Sequence, residues 1–186
     1  MKLIKLTALL VGTLLLSHAS FSQMKEKTVE VGGAPMYPSK NIVENAINSK
    51  DHTTLVAAVK AAGLVETLQT PGPFTVFAPT NEAFNMLPKG TVDNLLKSEN
   101  KSKLSSILTY HVVPGRLDAN ELSRLIKMGN GSAELTTVSG GKLWVMMNGK
   151  SIVLKDEHGG MAKVSIKNVY QSNGVIHVID HVVMPK

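Results

Sequence analysis

The sequence predicts an α+β domain whose antiparallel sheets are partly covered by helices. Apolar residues recur at helical spacing through the first part of the chain, while period-two segments and Asn-Gly turns dominate the rest. No regular strand-helix-strand alternation links the two regions, which argues against a parallel doubly wound sheet. The chain has 186 residues and no cysteine, so the fold must stand on an apolar core rather than on disulfides.

The amino terminus reads as a secretory signal peptide over residues 1–22. Lys2 and Lys5 precede an apolar run from Leu6 to Leu16, then small residues through Ser20 and Ser22, with cleavage expected near Ser22. The apolar run falls short of the roughly 20 residues a membrane-spanning helix needs. Residues 23–40 read as a flexible N-terminal segment, mixing Lys25, Glu26 and Lys27 with Gly32-Gly33, Pro35 and Pro38; Val29 and Val31 leave room for a short strand. The domain proper is expected over residues 41–186, a length suited to one core.

Each element has a local justification. Ser39 or Asn41 caps a helix bearing Ile42, Val43, Ala46 and Ile47, and Asp51 caps a second bearing Leu55, Val56, Val59 and Ala62, which Gly63 ends. Phe74 to Ala78 is apolar on both faces apart from Thr75 and reads as a central strand. Thr80 then caps a helix carrying Phe84 and Leu87. Val92, Leu95 and Leu96, then Leu104, Ile107 and Leu108, mark two further buried helical faces. Tyr110 to Val113 is expected to run extended into a Pro114-Gly115 turn. Asp118 with Glu121 forms an Asp version of the capping box for a helix ended by Gly129. Beyond it, Asn148-Gly149 should turn a hairpin between 143–147 and 151–155, and Asn173-Gly174 one between 162–170 and 175–183.

Three separated blocks, Thr75 to Phe84 (TVFAPTNEAF), Tyr110 to Gly115 (YHVVPG) and Asn173 to Pro185 (NGVIHVIDHVVMP), resemble in order and spacing the signature segments and Tyr-His motif of the fasciclin domain family. The resemblance runs from about Asn41 to Pro185 and implies a wedge-like antiparallel β-sandwich with a helical layer. It also implies a non-catalytic extracellular interaction module. In animal members the region corresponding to Tyr110 and His111 is implicated in adhesion and integrin contact, which makes these two residues the binding candidates. Their structural reading is a pair of buried rings that satisfy backbone groups at a helix-to-strand junction. The chain lacks Arg-Gly-Asp, the nearest string being Gly115-Arg116-Leu117-Asp118, and lacks the Asp-Ile dipeptide associated with integrin binding in the family. Integrin is therefore not the expected partner.

Other chemistry finds little support. His177 and His181 are four apart, about 13 Å on a strand, too far to share one ion, so no metal or cofactor is expected. Glu157-His158 beside Gly159-Gly160 reads as a solvated turn. Ser139-Gly140-Gly141-Lys142 fails as a phosphate loop, with Thr136 at the first glycine position and Leu143 after the lysine. No G-x-S-x-G elbow occurs, and the 14 carboxylates cannot be paired from sequence, which leaves a hydrolase with an unrecognised carboxylate site as one alternative. The net charge of +6 is diffuse and aromatics make up 4% of residues, which argues against nucleic-acid binding.

The sequence thus leads to a secreted or periplasmic monomer, without a membrane anchor after signal removal, that engages a protein or glycan at the cell surface or in matrix. A second alternative is capture of an apolar small molecule, with Met86, Met128, Met146, Met147, Met161 and Trp144 supplying a soft pocket.

Overall fold

A computed structural model of the protein describes residues 26–186. The signal peptide expected over residues 1–22 lies outside them. No helix among the described residues is long and apolar enough to cross a membrane.

The segment read as a flexible tether is instead a folded ribbon from Val29 onward. Strands β1 (Val29–Val31) and β2 (Ala34–Met36) pair antiparallel. Val31, Ala34 and Met36 are buried with the core, and the Lys50 N–H donates to the Gly32 carbonyl. Burial of three apolar side chains outweighs the local Gly-Pro character on which the tether reading rested.

Several helices start where their caps predict. Asn41 and Glu44 form a complete capping box on α1 (Ile42–Ala46). Thr80 accepts the Ala83 N–H at the start of α4 (Asn81–Asn85), which follows directly from strand β3 (Phe74–Pro79). Helix α2 (Thr53–Ala62) departs from expectation: Lys50–His52 form a 3-10 turn, and Asp51 does not cap it. Its free amide at Thr54 is satisfied from outside, by the Asn81 side chain at 3.0 Å. Gly63 ends it in the left-handed region, as expected.

Helices α3 (Val65–Gln69), α5 (Thr91–Leu95) and α6 (Lys101–Tyr110) complete the helical layer, and strand β4 (Val112–Pro114) follows. Helix α7 (Ala119–Met128) is capped by Asp118, which accepts the Asn120 and Glu121 N–H groups. The box is half made, because the Glu121 carboxylate turns to Arg124 instead of reaching back. Strands β5 (Ser132–Thr136), β6 (Lys142–Asn148), β7 (Ser151–Lys155), β8 (Met161–Gln171) and β9 (Gly174–Ile179) end the fold. The last strand stops short of the expected residue 183.

Seven strands hydrogen-bond in the order β4-β3-β9-β8-β7-β6-β5. Every pairing is antiparallel except β3 with β9, which is parallel, so the sheet is mixed rather than purely antiparallel. The long strand β8 pairs with β7 through residues 161–163 and with β9 through 164–171, and its register shifts at Ile166 and Val169 bend the sheet. The Val138 N–H donates to the Val112 carbonyl, bringing the two extremes of the strand order together.

Two cores result. Val76 and Ala78 of β3, with Ile176 and Val178 of β9, face the helices α1, α2 and α6. Phe77 and Ile179 face the other way, toward Leu143, Val145, Leu154 and the buried side of α7. Helices thus cover one face of a bent β-sandwich, the α+β architecture expected.

Both Asn-Gly turns are shifted by one residue. Asn148 pairs with Ser151, leaving Gly149-Lys150 as the turn, and Gln171 pairs with Gly174, leaving Ser172-Asn173. At the second site the reason is tertiary. The Asn173 side chain is buried, accepts the Ile42 N–H at 3.0 Å, and donates to the carbonyls of Leu68 at 2.8 Å and Thr70 at 2.9 Å. Gly174 lies inside the strand, where any Cβ would clash with the Phe74 backbone.

Asn173→Ala should therefore destabilise the domain by about 2–4 kcal/mol in urea unfolding, because it strands three buried backbone groups. Asn148→Ala, at the open end of a hairpin, should cost less than about 1 kcal/mol. Equal costs would refute the assignment of Asn173 as a tertiary tie.

Candidate functional site

Tyr110 is the last residue of α6 and His111 its C-cap, so they do not lie on a strand with opposed faces. Both are buried, Tyr110 at 0% and His111 at 2% exposure. The Tyr110 hydroxyl donates to the Lys142 carbonyl at 2.5 Å and accepts the Glu157 N–H at 3.3 Å. Its ring lies against Gly141, where a Cβ would meet ring carbons at 2.8 and 2.9 Å, so the position needs glycine. Burial pushes the phenol up to about 12.

His111 is held in one tautomer. Its Nδ1 lies 2.8 Å from the Ile107 carbonyl and must donate, because Nε2 accepts the Val183 N–H at 3.2 Å. Burial pulls this imidazole down to about 4 despite the carbonyl contact, leaving it neutral. The His111 carbonyl in turn accepts the Phe77 N–H at 2.9 Å. The three sequence blocks therefore meet at this residue: its backbone holds β3 and its ring holds the carboxy-terminal segment.

That segment is pinned at three further points. Asp156 is buried and accepts the N–H groups of His158, Gly160 and Met184. Glu157 accepts the N–H groups of Lys142 and Lys186, each at 2.8 Å, and these bonds hold its carboxyl below the usual range. His158 Nε2 lies 3.0 Å from the Pro185 carbonyl. The Glu157-His158 turn, expected to be merely solvated, is thus a latch on the chain end. The sequence offered no local sign of this, since the partners are 15 to 29 residues away.

His177 is buried and stacks on Phe77, with ring centroids 5.7 Å apart. Its Nε2 donates to the Leu117 carbonyl at 2.8 Å while Nδ1 accepts the Asn168 N–H, the tautomer opposite to that of His111. Burial lowers it too. His181 is exposed and lies 2.8 Å from Asp180, so the two histidines stand in different environments. Among the described residues no group of three or more His, Asp or Glu side chains is placed to hold an ion. The carboxylates of Asp118, Asp156 and Glu157 accept backbone N–H groups, and Glu121 pairs with Arg124.

The soft pocket expected from methionines and Trp144 is not formed. Met86 and Met128 project from helical ends at 60% and 68% exposure. Trp144, Met146 and Met161 are brought together differently, on the outward face of β5–β8. Period-two alternation buries Leu143, Val145, Leu154 and Ala162 toward the core and points Trp144, Met146, Lys155, Met161 and Lys163 the other way, where Trp144 and Met146 are half-buried and Val153, between Met146 and Lys163, is buried. Across the strands, Glu134, Trp144, Lys155 and Met161 form one row, and Ser132, Met146, Val153 and Lys163 the next. Lys142 stands beside them, 2.9 Å from Glu134, the only acidic side chain in these rows. The alternation was legible in sequence; the cross-strand register that assembles the patch was not.

The fasciclin domain model matches residues 50–185. The chain is 44% identical over 187 residues to protein sll1483 of Synechocystis sp., covering 99% of this chain and 96% of that one. It is 37% identical over 131 residues to transforming growth factor-beta-induced protein ig-h3 of Sus scrofa, covering 70% of this chain but 17% of that protein. A solved FAS1 domain pair from the insect cell adhesion molecule fasciclin I superimposes with a TM-score of 0.56 at 26% identity, over 70% of this chain and 43% of that one.

Two outcomes follow from the buried rings. His111→Ala and Tyr110→Ala should each lower the melting temperature, by roughly 2–4 kcal/mol of stability, since each leaves buried backbone groups without partners; unchanged melting would overturn the structural role. The second concerns pH. An unfolded His111 takes up a proton as pH falls below about 6.5, whereas the folded one does not until about 4, so protons favour the unfolded chain in that window. His52 and His177 are lowered in the same direction. Stability should be full above pH 6.5 and fall toward pH 4, His111 alone contributing up to about 3 kcal/mol of the loss. In urea melts at several pH values, His111→Gln should be less stable at pH 7.5 yet show a shallower decline.

Proposed function

The chain belongs to the fasciclin domain family, and on that premise we propose that it is a non-catalytic interaction module working outside the cytoplasm. It engages a protein or glycan of the cell surface or matrix through the outward face of β5–β8. The observation that carries this reading is the patch itself. It gathers the chain's single tryptophan with Met146 and Met161, and Lys155 and Lys163 stand in the same rows. An aromatic and methionine surface beside cations suits contact that combines apolar burial with attraction to an anionic partner.

The family motifs support this division of labour. Tyr110, His111 and His177 are buried and occupied by backbone hydrogen bonds, so they hold the module's shape and leave contact to the surface. A role in adhesion is also in keeping with the cell adhesion molecule whose FAS1 pair the fold resembles. The signal peptide expected at the amino terminus supports export.

The test is binding of the labelled mature domain to envelope and extracellular material from its own source. Trp144→Ala and the double variant Lys155→Glu/Lys163→Glu should melt within a few degrees of the parent, because neither touches the two cores. Each should weaken binding at least about tenfold, as expected for a central aromatic and for the charges beside it. Rising salt should weaken the parent more than the lysine variant. Binding that survives both variants would rule out this face.

A further inference from the structure

Beneath the helical layer the structure contains a second feature that an interaction surface does not explain. A cavity of about 90 Å³ lies between β3 and β9 on one side and α1, α2 and α3 on the other. Val43, Val56, Val59, Leu68, Val76 and Ile176 are among the residues that line it, and Met36 reaches it from the β-ribbon. A single water needs roughly 10–15 Å³ of such space and several polar partners. This cavity has room for several waters but walls made almost wholly of carbon, so water gains little there and an apolar molecule gains contact and desolvation.

The wall is not wholly apolar: with Ser49, Lys60, Thr67, Thr109 and His111 it includes His52. His52 is 3% exposed and lines the cavity. Its Nδ1 is engaged by the Ser49 hydroxyl at 2.9 Å, whereas its Nε2 makes no well-formed hydrogen bond, although the Ala78 backbone lies near the ring. A buried ring nitrogen left without a partner costs about 1–3 kcal/mol, and few such atoms persist in folded proteins without a role. Among the described residues it is the only buried side-chain nitrogen or oxygen in this condition. His111 and Thr109 also reach the cavity wall, but their polar side-chain atoms are taken up by the backbone of α6 and, for His111 Nε2, by the Val183 N–H.

Access is available on the helical side. Helix α3 carries no fully buried residue and no side-chain cap, and its hold on the body is concentrated at its end, where Asn173 takes the Leu68 and Thr70 carbonyls. Val43 of α1, Val59 of α2 and Leu64 before α3 are only partly buried where they line the cavity.

We propose that this cavity is a binding site for a small uncharged hydrocarbon bearing one hydroxyl group, its apolar body against the aliphatic walls and its hydroxyl on His52 Nε2. A hydroxyl can donate or accept, so it satisfies that nitrogen in either tautomer. The site is independent of the β5–β8 face, since the two lie on opposite outer faces of the sandwich with the core around Leu143 and Ile179 between them.

The test uses benzene and phenol, which differ by one hydroxyl, titrated into the intact mature domain and followed by amide chemical shifts and calorimetry. Both should bind and shift the amides of Val56, Val59 and Leu68, phenol about fivefold to tenfold more tightly, the worth of one net hydrogen bond. In His52→Leu the preference for phenol should disappear while benzene still binds. Val59→Phe and Ala46→Leu, which fill the cavity from two different helices, should abolish binding of both probes; whichever variant folds serves the purpose. Failure of the parent to bind either probe would overturn the proposal, as would binding that survives filling or a phenol preference that survives His52→Leu. Loss of Trp144 should leave these titrations unchanged, so the two proposals stand or fall separately.

Discussion

The whole molecule depends on the parallel pairing of β3 with β9, in which Phe74 to Pro79 lie beside Gly174 to Ile179. This contact joins segments about a hundred residues apart and forms the second and third strands of the seven-stranded order. Its two faces seed the two cores, Val76 and Ile176 toward the helices, Phe77 and Ile179 toward the sandwich interior. The pairing is possible because Gly174 has no side chain where the Phe74 backbone passes. Asn173 then extends the tie: its backbone carbonyl accepts the Phe74 N–H at the start of β3, and its side chain gathers the start of α1 and the end of α3. A second polar network stands beside it, in which Asn45 bonds to Tyr37 and to Gln171 and so fixes the β-ribbon to the end of β8. Buried amides with every group occupied specify one arrangement where aliphatic packing alone would tolerate several.

The histidines show how titratable groups are made structural. His111 and His177 sit on the two strands' sides of the interior with opposite tautomers, each chosen by one carbonyl and one N–H. Burial lowers both, so at neutral pH they are rigid neutral connectors rather than acids or bases. Conservation of letters between family signatures and this chain therefore reports interior geometry.

What local signals could reach, they described well. Asn41 with Glu44, Thr80 and Asp118 each cap the helix that follows, because capping needs only residues two or three positions away. The pairing of β6 with β7 about Asn148-Gly149 was equally legible. The misreadings share a cause. Asp51 was displaced as a cap by Asn81, the ribbon at 29–36 gained its order from burial against the core, and Asn173 left its expected turn position for partners on other elements. In each case a distant group offered more than the local one.

The sequence by itself determined the family, through the resemblance of its three motif blocks, and the α+β class and several helix starts, through short-range hydrogen bonding and periodicity. Only the tertiary structure decided that β3 and β9 run parallel, that Tyr110 and His111 are enclosed at a helix end, that the Trp144 face is assembled, and that a cavity opens onto His52. These depend on which segments meet, and a meeting is set by the summed burial and polar satisfaction of residues far apart in the chain.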